Sequence, residues 1–444
     1  MYLLYTVLLI LGSCGLLPLL LWRCLHGAGY YRGLLTRLGS GGVRPADAAA
    51  LHGCLWFHAA SVGEVQGLRP IVACLHARFP ELPVVISTFT PTGQTMAQRL
   101  MPEALRVLLL PFDFPWLMRR LLRHLGPRAL IIQETELWPH LIRAAARQHV
   151  PVVVVNGRLS PRAFRRYLWI RVFMRRLLAD VTLLLVQSPE IAQRFLRLGA
   201  AASRLQVVGN TNIDRALLAA QQPAPPHALA PLVQGRRMLL AGSTHEGEET
   251  ILLAVYRRLR EQHPDCFLVV APRHLERVAT VMRHVQAHHC RAVRRSQCAT
   301  IRPEELDGDV VLVLDTLGEL AELYRLCTFA FVGGSLVPIG GHNLLEPAVY
   351  AKPLFFGPYM QHYPELARLL CAAGGAAQVA GEDDLYTQLT RLLRYPHEGD
   401  SMGQRAVQAL VANRGALQAT SDILTALLHW DGLPSDDSEH PHRW

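Results

Sequence analysis

The most constraining feature of this sequence is a series of short apolar runs that alternate with amphipathic segments from about residue 54 onward. The runs are mostly apolar at consecutive positions, which is typical of strands covered on both faces of a parallel sheet. In the first half of the chain they are CLWFHA, PVVIST, RVLLLP, ALIIQE, PVVVVN, TLLLVQ and LQVVGN. The pattern predicts a doubly wound α/β domain that ends near Gly209.

The alternation restarts after QQPAPPHALAP, a proline- and alanine-rich stretch without apolar periodicity. The later runs are MLLAGS, CFLVVAP, VVLVLD, FAFVGG, PLFFGP and AAQVA. We therefore expect two Rossmann-like domains, at residues 45–220 and 236–430, with a linker at 221–235 and a disordered tail at 431–444. Two such domains make a cleft into which the carboxyl ends of both sheets point.

The first residues have a different character. Residues 2–22 carry no charge and, as a helix, match the thickness of a bilayer core. Arg23, Arg32 and Arg37 follow, and nothing basic precedes, which places the following domain in the cytoplasm. A cleaved signal peptide is the alternative, but this segment lacks the positively charged n-region and the small-residue cleavage site of a signal peptide. We expect residues 1–23 to be an uncleaved membrane anchor that either spans the bilayer or lies in it.

The charge balance narrows the choice of partners. The formal net charge is +10, supplied almost entirely by arginine, whose guanidinium suits phosphates and anionic lipid surfaces. No zinc finger, RNA-recognition signature or aromatic-interleaved basic stripe occurs, so we expect no nucleic acid partner. Nine scattered cysteines without a Cys-x-x-Cys pair indicate reduced thiols in a cytosolic compartment and no metal site.

One helix-like run combines arginines with aromatic residues. It covers residues 160–178, SPRAFRRYLWIRVFMRRLL, and contains six arginines. On a single helix, Arg162, Arg165, Arg166 and Arg176 lie within one arc. Two interpretations stay open: a surface that touches lipid headgroups, or an ordinary basic helix.

The second domain carries loops suited to an anion. The sequence has neither Gly-x-Gly-x-x-Gly after a first strand nor a P-loop, which disfavours a nicotinamide dehydrogenase or a P-loop NTPase. AGSTHEGEE and FVGGSLVPIGGHNLLEP instead place small residues before predicted helices, where backbone N–H groups can meet a phosphate. Glu346, one turn into a predicted helix, has two carboxylate oxygens that can accept from two ribose hydroxyls. The alternative is that Glu346 only interacts with the helix dipole. The candidate nucleotide-binding residues are Ser243, Thr244, Pro272, Arg273, Gly333, Gly334, Ser335, Gly340, Gly341, His342, Asn343 and Glu346.

Acidic residues follow strands of the first domain. Glu134 and Glu136 come after one strand, and Asn156 and Arg158 after the next, so we expect a polar wall of the cleft; Arg158 is equally well explained as a solvated loop residue. Glu64 follows Gly63 at a strand-to-helix turn. Either it is an ordinary first-turn acid, or it faces the nucleotide loops and removes a proton from an incoming hydroxyl.

Together these blocks resemble the 3-deoxy-D-manno-octulosonic acid (Kdo) transferases of lipopolysaccharide assembly. The resemblance covers nearly the whole chain and rests on HAASVGEV, TPTG, ETELWP, NGRLS, AGSTHEGEE, APRH, DTLGEL and GGSLVPIGGHNLLEP, in this order. It implies a GT-B glycosyltransferase fold at the cytoplasmic face of the inner membrane of a Gram-negative bacterium. The N-terminal domain would bind the lipid A precursor and the C-terminal domain CMP-Kdo.

The resemblance also implies an inverting reaction without metal or cofactor, in which Glu64 is the catalytic base. Arg273 and the helix N-terminus after Gly341 would offset the phosphate charge of the leaving CMP. The acceptor-binding residues would be Thr90, Thr92, Gly93, Glu134, Glu136, Asn156 and Arg158.

One block departs from the family pattern. Where the family usually has Gly-Asn-Leu-Lys-Phe-Asp, this chain has GNTNID, with Asn212 at the lysine position. This change leaves details of substrate binding open, as it does the number of Kdo residues added and the oligomeric state. The alternatives are a membrane-associated GT-B enzyme that uses another nucleotide sugar, which UDP rather than CMP would inhibit, and a catalytically silent binding homologue.

Overall fold

The computed structural model describes residues 1–26, 36–39, 48–223, 227–300 and 308–429, with the backbone alone described for residues 16–26 and 298–300. The chain divides into two compact units. The N-terminal unit comprises Met1–Arg215 with Arg414–Trp444, and the C-terminal unit comprises Ala216–Asn413.

The N-terminal unit is built on a seven-stranded parallel sheet with the strand order β3-β2-β1-β4-β5-β6-β7. Its strands are β1 (Leu55–His58), β2 (Val84–Thr88), β3 (Arg106–Leu109), β4 (Ala129–Gln133), β5 (Val152–Gly157), β6 (Leu183–Val186) and β7 (Leu205–Val207). Its helices are α1 (Tyr2–His26), α2 (Ala48–Leu51), α3 (Val62–Arg78), α4 (Pro91–Leu100), α5 (Pro115–Leu125), α6 (Pro139–Arg147), α7 (Pro161–Trp169), α8 (Arg171–Ala179), α9 (Pro189–Leu198) and α10 (Thr211–Gln221), which begins in this unit. A 3-10 turn covers Ala202–Arg204.

The C-terminal unit has a second seven-stranded parallel sheet, with the order β10-β11-β9-β8-β12-β13-β14. Its strands are β8 (Arg237–Thr244), β9 (Cys266–Pro272), β10 (Arg291–Arg294), β11 (Val310–Val313), β12 (Phe329–Val332), β13 (Leu354–Phe356) and β14 (Ala376–Gln378). Its helices are α11 (Ala230–Val233), α12 (Glu248–Gln262), α13 (Val278–Ala287), α14 (Leu320–Leu326), α15 (Leu345–Ala348), α16 (Pro364–Ala372), α17 (Glu382–Arg394) and α18 (Pro396–Ala412). Two 3-10 segments cover Leu275–Arg277 and Arg295–Thr300.

Burial on both faces explains why the strands are continuously apolar. In β1, Trp56 packs into the core on one face of the N-terminal sheet, whereas Leu55 and Phe57 pack into the core on the other. Because successive strand residues point to opposite faces, both faces must be apolar when helices cover both. The two predicted α/β sheets are therefore confirmed.

Each apolar run predicted as a strand forms one, and β10 is the strand that the pattern missed. β10 has the sequence RAVR and lies at the edge of its sheet. Only Val293 among its four residues is buried, so the strand carries almost no apolar signal.

The last helix differs from the expected domain boundary. Helix α19 (Ala416–His429) belongs to the N-terminal unit, although the sequence pattern assigned residues up to 430 to the second domain. Its Leu424 and Leu428 are buried against one face of the N-terminal sheet. Burying two leucines contributes about 3–6 kcal/mol, which favours the packing of α19 on the first unit. The predicted tail at 431–444 lies outside the described residues.

The arginine-rich run forms two helices rather than one. Ile170, with φ −113° and ψ 28°, separates α7 from α8. The arc that Arg162, Arg165, Arg166 and Arg176 would share on a single helix therefore does not form as predicted. These four arginines nevertheless remain exposed.

The first turns of α1 pack against the N-terminal unit through polar contacts. The Tyr2 hydroxyl donates to Asp180 at 2.9 Å, the Tyr5 hydroxyl donates to Asp113 at 3.1 Å, and Thr6 Oγ1 lies 2.9 Å from His140 Nε2. Within the described part of the chain, no helix combines the length and the apolar character needed to cross a bilayer.

We expect Asp113→Ala to lower the free energy of unfolding by about 2–3 kcal/mol. Asp113 is buried and accepts the backbone N–H groups of His140 and Leu141 at 2.9 Å, at the start of α6. Without it, two donors at a helix N-terminus lose their partner. Urea unfolding of the full chain measures the change.

Asp180→Ala is the matched control, since its carboxylate meets Tyr2 and Arg143 in a more exposed setting, where we expect a loss below about 1 kcal/mol. Equal losses in the two variants would contradict the assigned role of Asp113.

Candidate active site

Glu64 sits in the first turn of α3, directly after the carboxyl end of β1. Its Oε2 accepts the Ala60 N–H at 2.8 Å, and its Oε1 accepts the Ser61 hydroxyl at 2.9 Å. The side chain is half-buried. Burial raises the pKa of the Glu64 carboxyl, while these two hydrogen bonds and the charge of Arg158 act in the opposite direction. Glu64 is thus a fixed carboxylate with an elevated proton affinity, as a general base requires.

Glu134 and Glu136 follow β4, the neighbour of β1 in the sheet. Glu134 has φ +58° and makes an ion pair with Arg158 at 2.7 Å. Burial and the negative charge of Glu64 raise the pKa of Glu134, and the same two causes raise that of Glu136 to about 7. The structure therefore brings three predicted carboxylates close enough to influence one another's protonation, with Arg158 as a cationic partner.

The TPTG block braces the turn that holds Glu64. The Thr90 hydroxyl accepts the Gly93 N–H at 3.1 Å, which caps α4, and lies 3.2 Å from the Ala60 carbonyl, to which it donates. Thr92 donates to Thr90 at 3.3 Å. The N–H of Ala60 is the group that binds Glu64, so Thr90 and Thr92 support the position of the Glu64 carboxylate through the backbone.

Asn156 lies inside the protein rather than on a polar wall. It is fully buried, has φ +52°, and its Oδ1 accepts the backbone N–H of Thr211 at the start of α10. Its carbonyl accepts the Gln187 side chain at 3.0 Å. Asn156 joins the end of β5 to α10, and residues at positive φ outside glycine cluster at functional sites.

Glu136 belongs to a series of hydrogen-bonded side chains that leads into the protein interior. The Trp138 indole N–H lies 3.1 Å from both Glu136 Oε2 and His58 Nε2. The Nδ1 of His58 lies 2.8 Å from Ser87 Oγ. Complete burial lowers the pKa of His58 to about 4, so its ring is neutral at pH 7. Because Nε2 accepts from Trp138, His58 carries its proton on Nδ1 and orients the tryptophan that contacts Glu136.

The nucleotide-binding candidates of the C-terminal unit lie at the ends of three adjacent strands, β9, β8 and β12. Thr244 is buried and donates to Glu249 at 3.1 Å, and the Arg273 N–H, after Pro272, donates to the Thr244 carbonyl at 3.0 Å. The Arg273 side chain is exposed. A Cβ on Gly333 would lie 2.5 Å from the Ser243 carbonyl oxygen, so a glycine is required where β8 and β12 end together.

The backbone donors of the first Gly-Gly loop are occupied by Glu248. Its carboxylate accepts the N–H groups of His245, Gly334, Ser335 and Leu336 at 2.7–2.9 Å. Burial raises the pKa of Glu248, and the four N–H groups oppose that shift. Gly334 and Ser335 thus direct these donors at a protein carboxylate, and their predicted contact with a nucleotide remains a prediction.

The second Gly-Gly pair folds back on the first. Gly340 and Gly341 both have positive φ, and their N–H groups donate to the Gly334 carbonyl at 3.1 and 2.7 Å. Asn343 donates to Glu346 at 3.3 Å. Glu346 lies in the first turn of α15, so the helix expected after Gly341 does form, with a length of four residues.

Three comparisons with known proteins bear on identity. The family model described as 3-deoxy-D-manno-octulosonic-acid transferase matches residues 33–215. A 3-deoxy-D-manno-octulosonic acid transferase of Haemophilus influenzae is 32% identical over 84% of this chain and 87% of its own length. The enzyme of the same name from Bordetella pertussis is 33% identical over 92% of this chain and 96% of its own length. The chain belongs to the Kdo transferase family.

The fold comparison agrees with a two-sheet α/β enzyme. A UDP-N-acetylglucosamine 2-epimerase structure from Listeria monocytogenes, 14% identical, superposes with a TM-score of 0.61 over 87% of this chain and all of that chain. At this identity the likeness concerns the fold alone. The predicted family and its Kdo transfer activity are confirmed by the sequence relatives.

Two residues beside the candidate site were not predicted from the sequence. Glu248 and His58 lie within the quoted blocks, but nothing in their spacing shows that Glu248 would accept from a loop of N–H groups or that His58 would contact Trp138.

Asn212, at the departure from the family pattern, lies with Gln133 against Gly67. A Cβ on Gly67 would come within 3.1 Å of Asn212 Oδ1 and 2.8 Å of Gln133 Nε2.

For the Kdo transferase reaction, we expect Arg158→Gln to move the acidic limb of the profile of kcat/KM against pH to higher pH. The charge of Arg158 lowers the pKa of Glu64 and of Glu134, so its removal favours their protonated forms. A base must be ionised, so activity then rises only at higher pH. The limb is a property of the coupled carboxylates.

Arg99→Gln is the control, because Arg99 is an exposed cation in the last turn of α4. A limb that stays in place in Arg158→Gln, or moves to lower pH, would show that Arg158 does not tune the base.

Proposed function

We propose that this Kdo transferase moves Kdo from CMP-Kdo to a hydroxyl of the lipid A precursor (lipid IVA) in lipopolysaccharide core assembly, with Glu64 as the base. The carrying observation is the Glu64 carboxylate, held by Ala60 and Ser61 at the end of β1 with a raised pKa. Such a group takes a proton more readily than an ordinary exposed carboxylate.

The reaction follows from this assignment. Glu64 accepts the hydroxyl proton as the acceptor oxygen forms a bond to the anomeric carbon of Kdo. The bond between that carbon and the phosphate oxygen breaks, and CMP leaves with the electron pair. One displacement at the opposite face inverts the configuration. Glu134, Glu136 and Arg158 would contact the acceptor, while Thr90, Thr92 and Gly93 act through the Ala60 turn.

The donor would bind the C-terminal unit in the manner of a GT-B enzyme. Arg273 supports this assignment because its guanidinium is exposed at the carboxyl end of β9. Guanidinium groups bind phosphate and carboxylate with two parallel hydrogen bonds. Glu346 remains the proposed partner of the ribose hydroxyls.

We place the enzyme on the cytoplasmic face of the inner membrane. Support comes from apolar side chains that the N-terminal unit leaves in solvent, among them Leu3 (76% exposed) in α1 and Trp169 (92% exposed) in α7. α1 and α8 are neighbours, since the rings of Tyr2 and Phe173 are 5.4 Å apart. Apolar side chains beside exposed arginines are typical of a surface that lies on anionic lipid.

A mass measurement of the lipid product tests the proposal. The protein is incubated with CMP-Kdo, generated in place, and a tetra-acylated lipid A precursor in detergent, with CMP or UDP as competitor. We expect the lipid to gain the mass of one or more Kdo residues and CMP to inhibit more strongly than UDP. If the lipid stays unchanged while the enzyme transfers Kdo to another acceptor, the proposed acceptor is wrong. Stronger inhibition by UDP would overturn the donor.

A further inference from the structure

Two histidines of the C-terminal unit share a hydrogen bond. His245 follows β8, and His342 precedes α15. Their Nε2 atoms are 2.8 Å apart, their ring planes differ by 6°, and their ring centres are 5.1 Å apart. The centre-to-centre distance exceeds the nitrogen distance by about two ring radii, so both nitrogens lie on the line that joins the centres. The rings are therefore coplanar and meet edge to edge, with an in-plane N–H···N bond.

This geometry limits how many protons the pair can hold. One Nε2 must carry a hydrogen and the other must offer its lone pair. In the neutral pair, one ring is the Nε2–H tautomer and the other the Nδ1–H tautomer. A pair with both rings charged would point two N–H groups at each other at 2.8 Å and is excluded. The pair therefore has two states, neutral and singly protonated.

The loops around the pair are fixed in place. The His245 N–H donates to Glu248, which also holds the Gly334 N–H. Gly334 lies against both rings, because a Cβ there would come within 3.1 Å of the His342 ring and 3.3 Å of the His245 ring. Glu248 thus fixes the backbone of His245 and of Gly334, the residue that lies against both rings.

The surroundings of the pair are basic. Arg273 is an exposed cation whose charge acts on His342, and the exposed imidazoles of His274 and His362 act on it as well. The His274 ring meets the His245 ring edge-on at 5.7 Å. Arg277 also acts on His245, but Glu249 neutralises it through an ion pair at 2.7 Å. Burial, followed by the charges of His245 and Arg273, lowers the pKa of His342 to about 4. Burial, followed by the charges of His274 and Arg277, lowers the pKa of His245. The pair is neutral at pH 7 when no anion is bound.

We propose that His245 and His342 act as one anion-responsive element, which takes up a single proton when the negatively charged phosphate of the donor binds beside Arg273. This inference rests on the proposed assignment of the donor to the C-terminal unit. An anion close to the pair offsets the cationic surroundings and favours the charged state. One proton shared by the two rings adds a positive charge beside the phosphate, in addition to the charge of the Arg273 guanidinium.

Calorimetry of CMP binding at about pH 6.5 tests the proposal. The binding heat is measured in HEPES and in Tris, whose different ionisation heats give the number of protons taken up per CMP. Because the phosphate of CMP itself titrates near about pH 6, the deciding quantity is the difference between the unmodified protein and its variants. His245→Gln and His342→Gln each break the pair, and His397→Gln changes an exposed histidine of α18 as the control.

We expect the unmodified protein and His397→Gln to take up more protons than the two pair variants, by an amount that does not exceed one. We also expect the Kd of the unmodified protein for CMP to rise with pH more steeply than those of the pair variants, by up to tenfold per pH unit in proportion to this difference. If all four proteins bind CMP and take up the same number of protons, the proposed role of the histidine pair is wrong and the donor assignment stays intact. If the unmodified protein does not bind CMP at all, the donor assignment fails and this inference fails with it.

Discussion

Replacing Glu64 by Gln is expected to lower kcat for Kdo transfer by about 10²–10⁴-fold, the usual contribution of a general base. Gln has nearly the same shape but does not accept a proton, so the acceptor hydroxyl stays protonated during attack. Its amide oxygen can still accept one of the hydrogen bonds that Ala60 and Ser61 donate. The local turn should therefore persist, and the Kd for CMP should stay unchanged.

Steady-state kinetics with CMP-Kdo, beside calorimetry with CMP, separates these two quantities. Glu81→Gln is the control, since Glu81 is exposed in the loop between α3 and β2. A kcat that falls less than tenfold in Glu64→Gln would remove Glu64 from the base role. A Kd for CMP that rises in parallel with the loss of kcat would indicate a structural effect instead.

Replacing Glu248 by Ala is expected to destabilise the protein by about 3–5 kcal/mol and to weaken CMP binding more than tenfold. Four backbone N–H groups lose their common acceptor, and three of them belong to the loop at the end of β12. Buried donors without a partner cost far more than an exposed contact. The loop that carries Gly334 should no longer hold its conformation.

Urea unfolding and CMP binding measure the two effects. Glu246→Ala is a close control, because Glu246 is two residues away and exposed, so we expect a change within about 0.5 kcal/mol. A Glu248→Ala protein that is as stable as the Glu246→Ala protein would show that water replaces the carboxylate at no cost.

The sheets could be predicted because a strand that is buried on both faces has apolar residues at consecutive positions. Leu55, Trp56 and Phe57 are each fully buried, so the run is apolar whichever face is considered. The return of α19 to the N-terminal unit could not be predicted in the same way. Leu424 and Leu428 show that one face is apolar, but not which unit covers it.

The site was partly predictable for a similar reason. The carboxyl ends of parallel strands meet at one edge, so Glu64, Glu134 and Glu136 were each expected at the cleft edge of the first domain. Asn156 looked equivalent in sequence, yet its positive φ turns it into the interior to cap α10. Backbone conformation of this kind is set by tertiary contacts that residue spacing does not encode.

The same limit applies to the Gly-rich loops. Their glycines predicted free N–H groups for a phosphate, whereas Glu248 fills the first loop and the Gly334 carbonyl takes the N–H groups of Gly340 and Gly341. Sequence shows which backbone can approach an anion closely, but not which anion occupies that place. Arg273 and the histidine pair are the groups that we propose for contact with the donor.

The central claim, a single inverting displacement assisted by Glu64, is tested most directly by the anomeric configuration of the product. NMR spectroscopy of the new linkage, formed from CMP-Kdo and the lipid acceptor, compares the configuration of Kdo before and after transfer. We predict inversion, no Kdo attached to the protein by mass spectrometry, and a rate of product formation by Glu64→Gln that is at least about 100-fold below that of the unmodified protein. Retention of configuration, or a Kdo adduct on Glu64, would contradict the account because the carboxylate would then be a nucleophile.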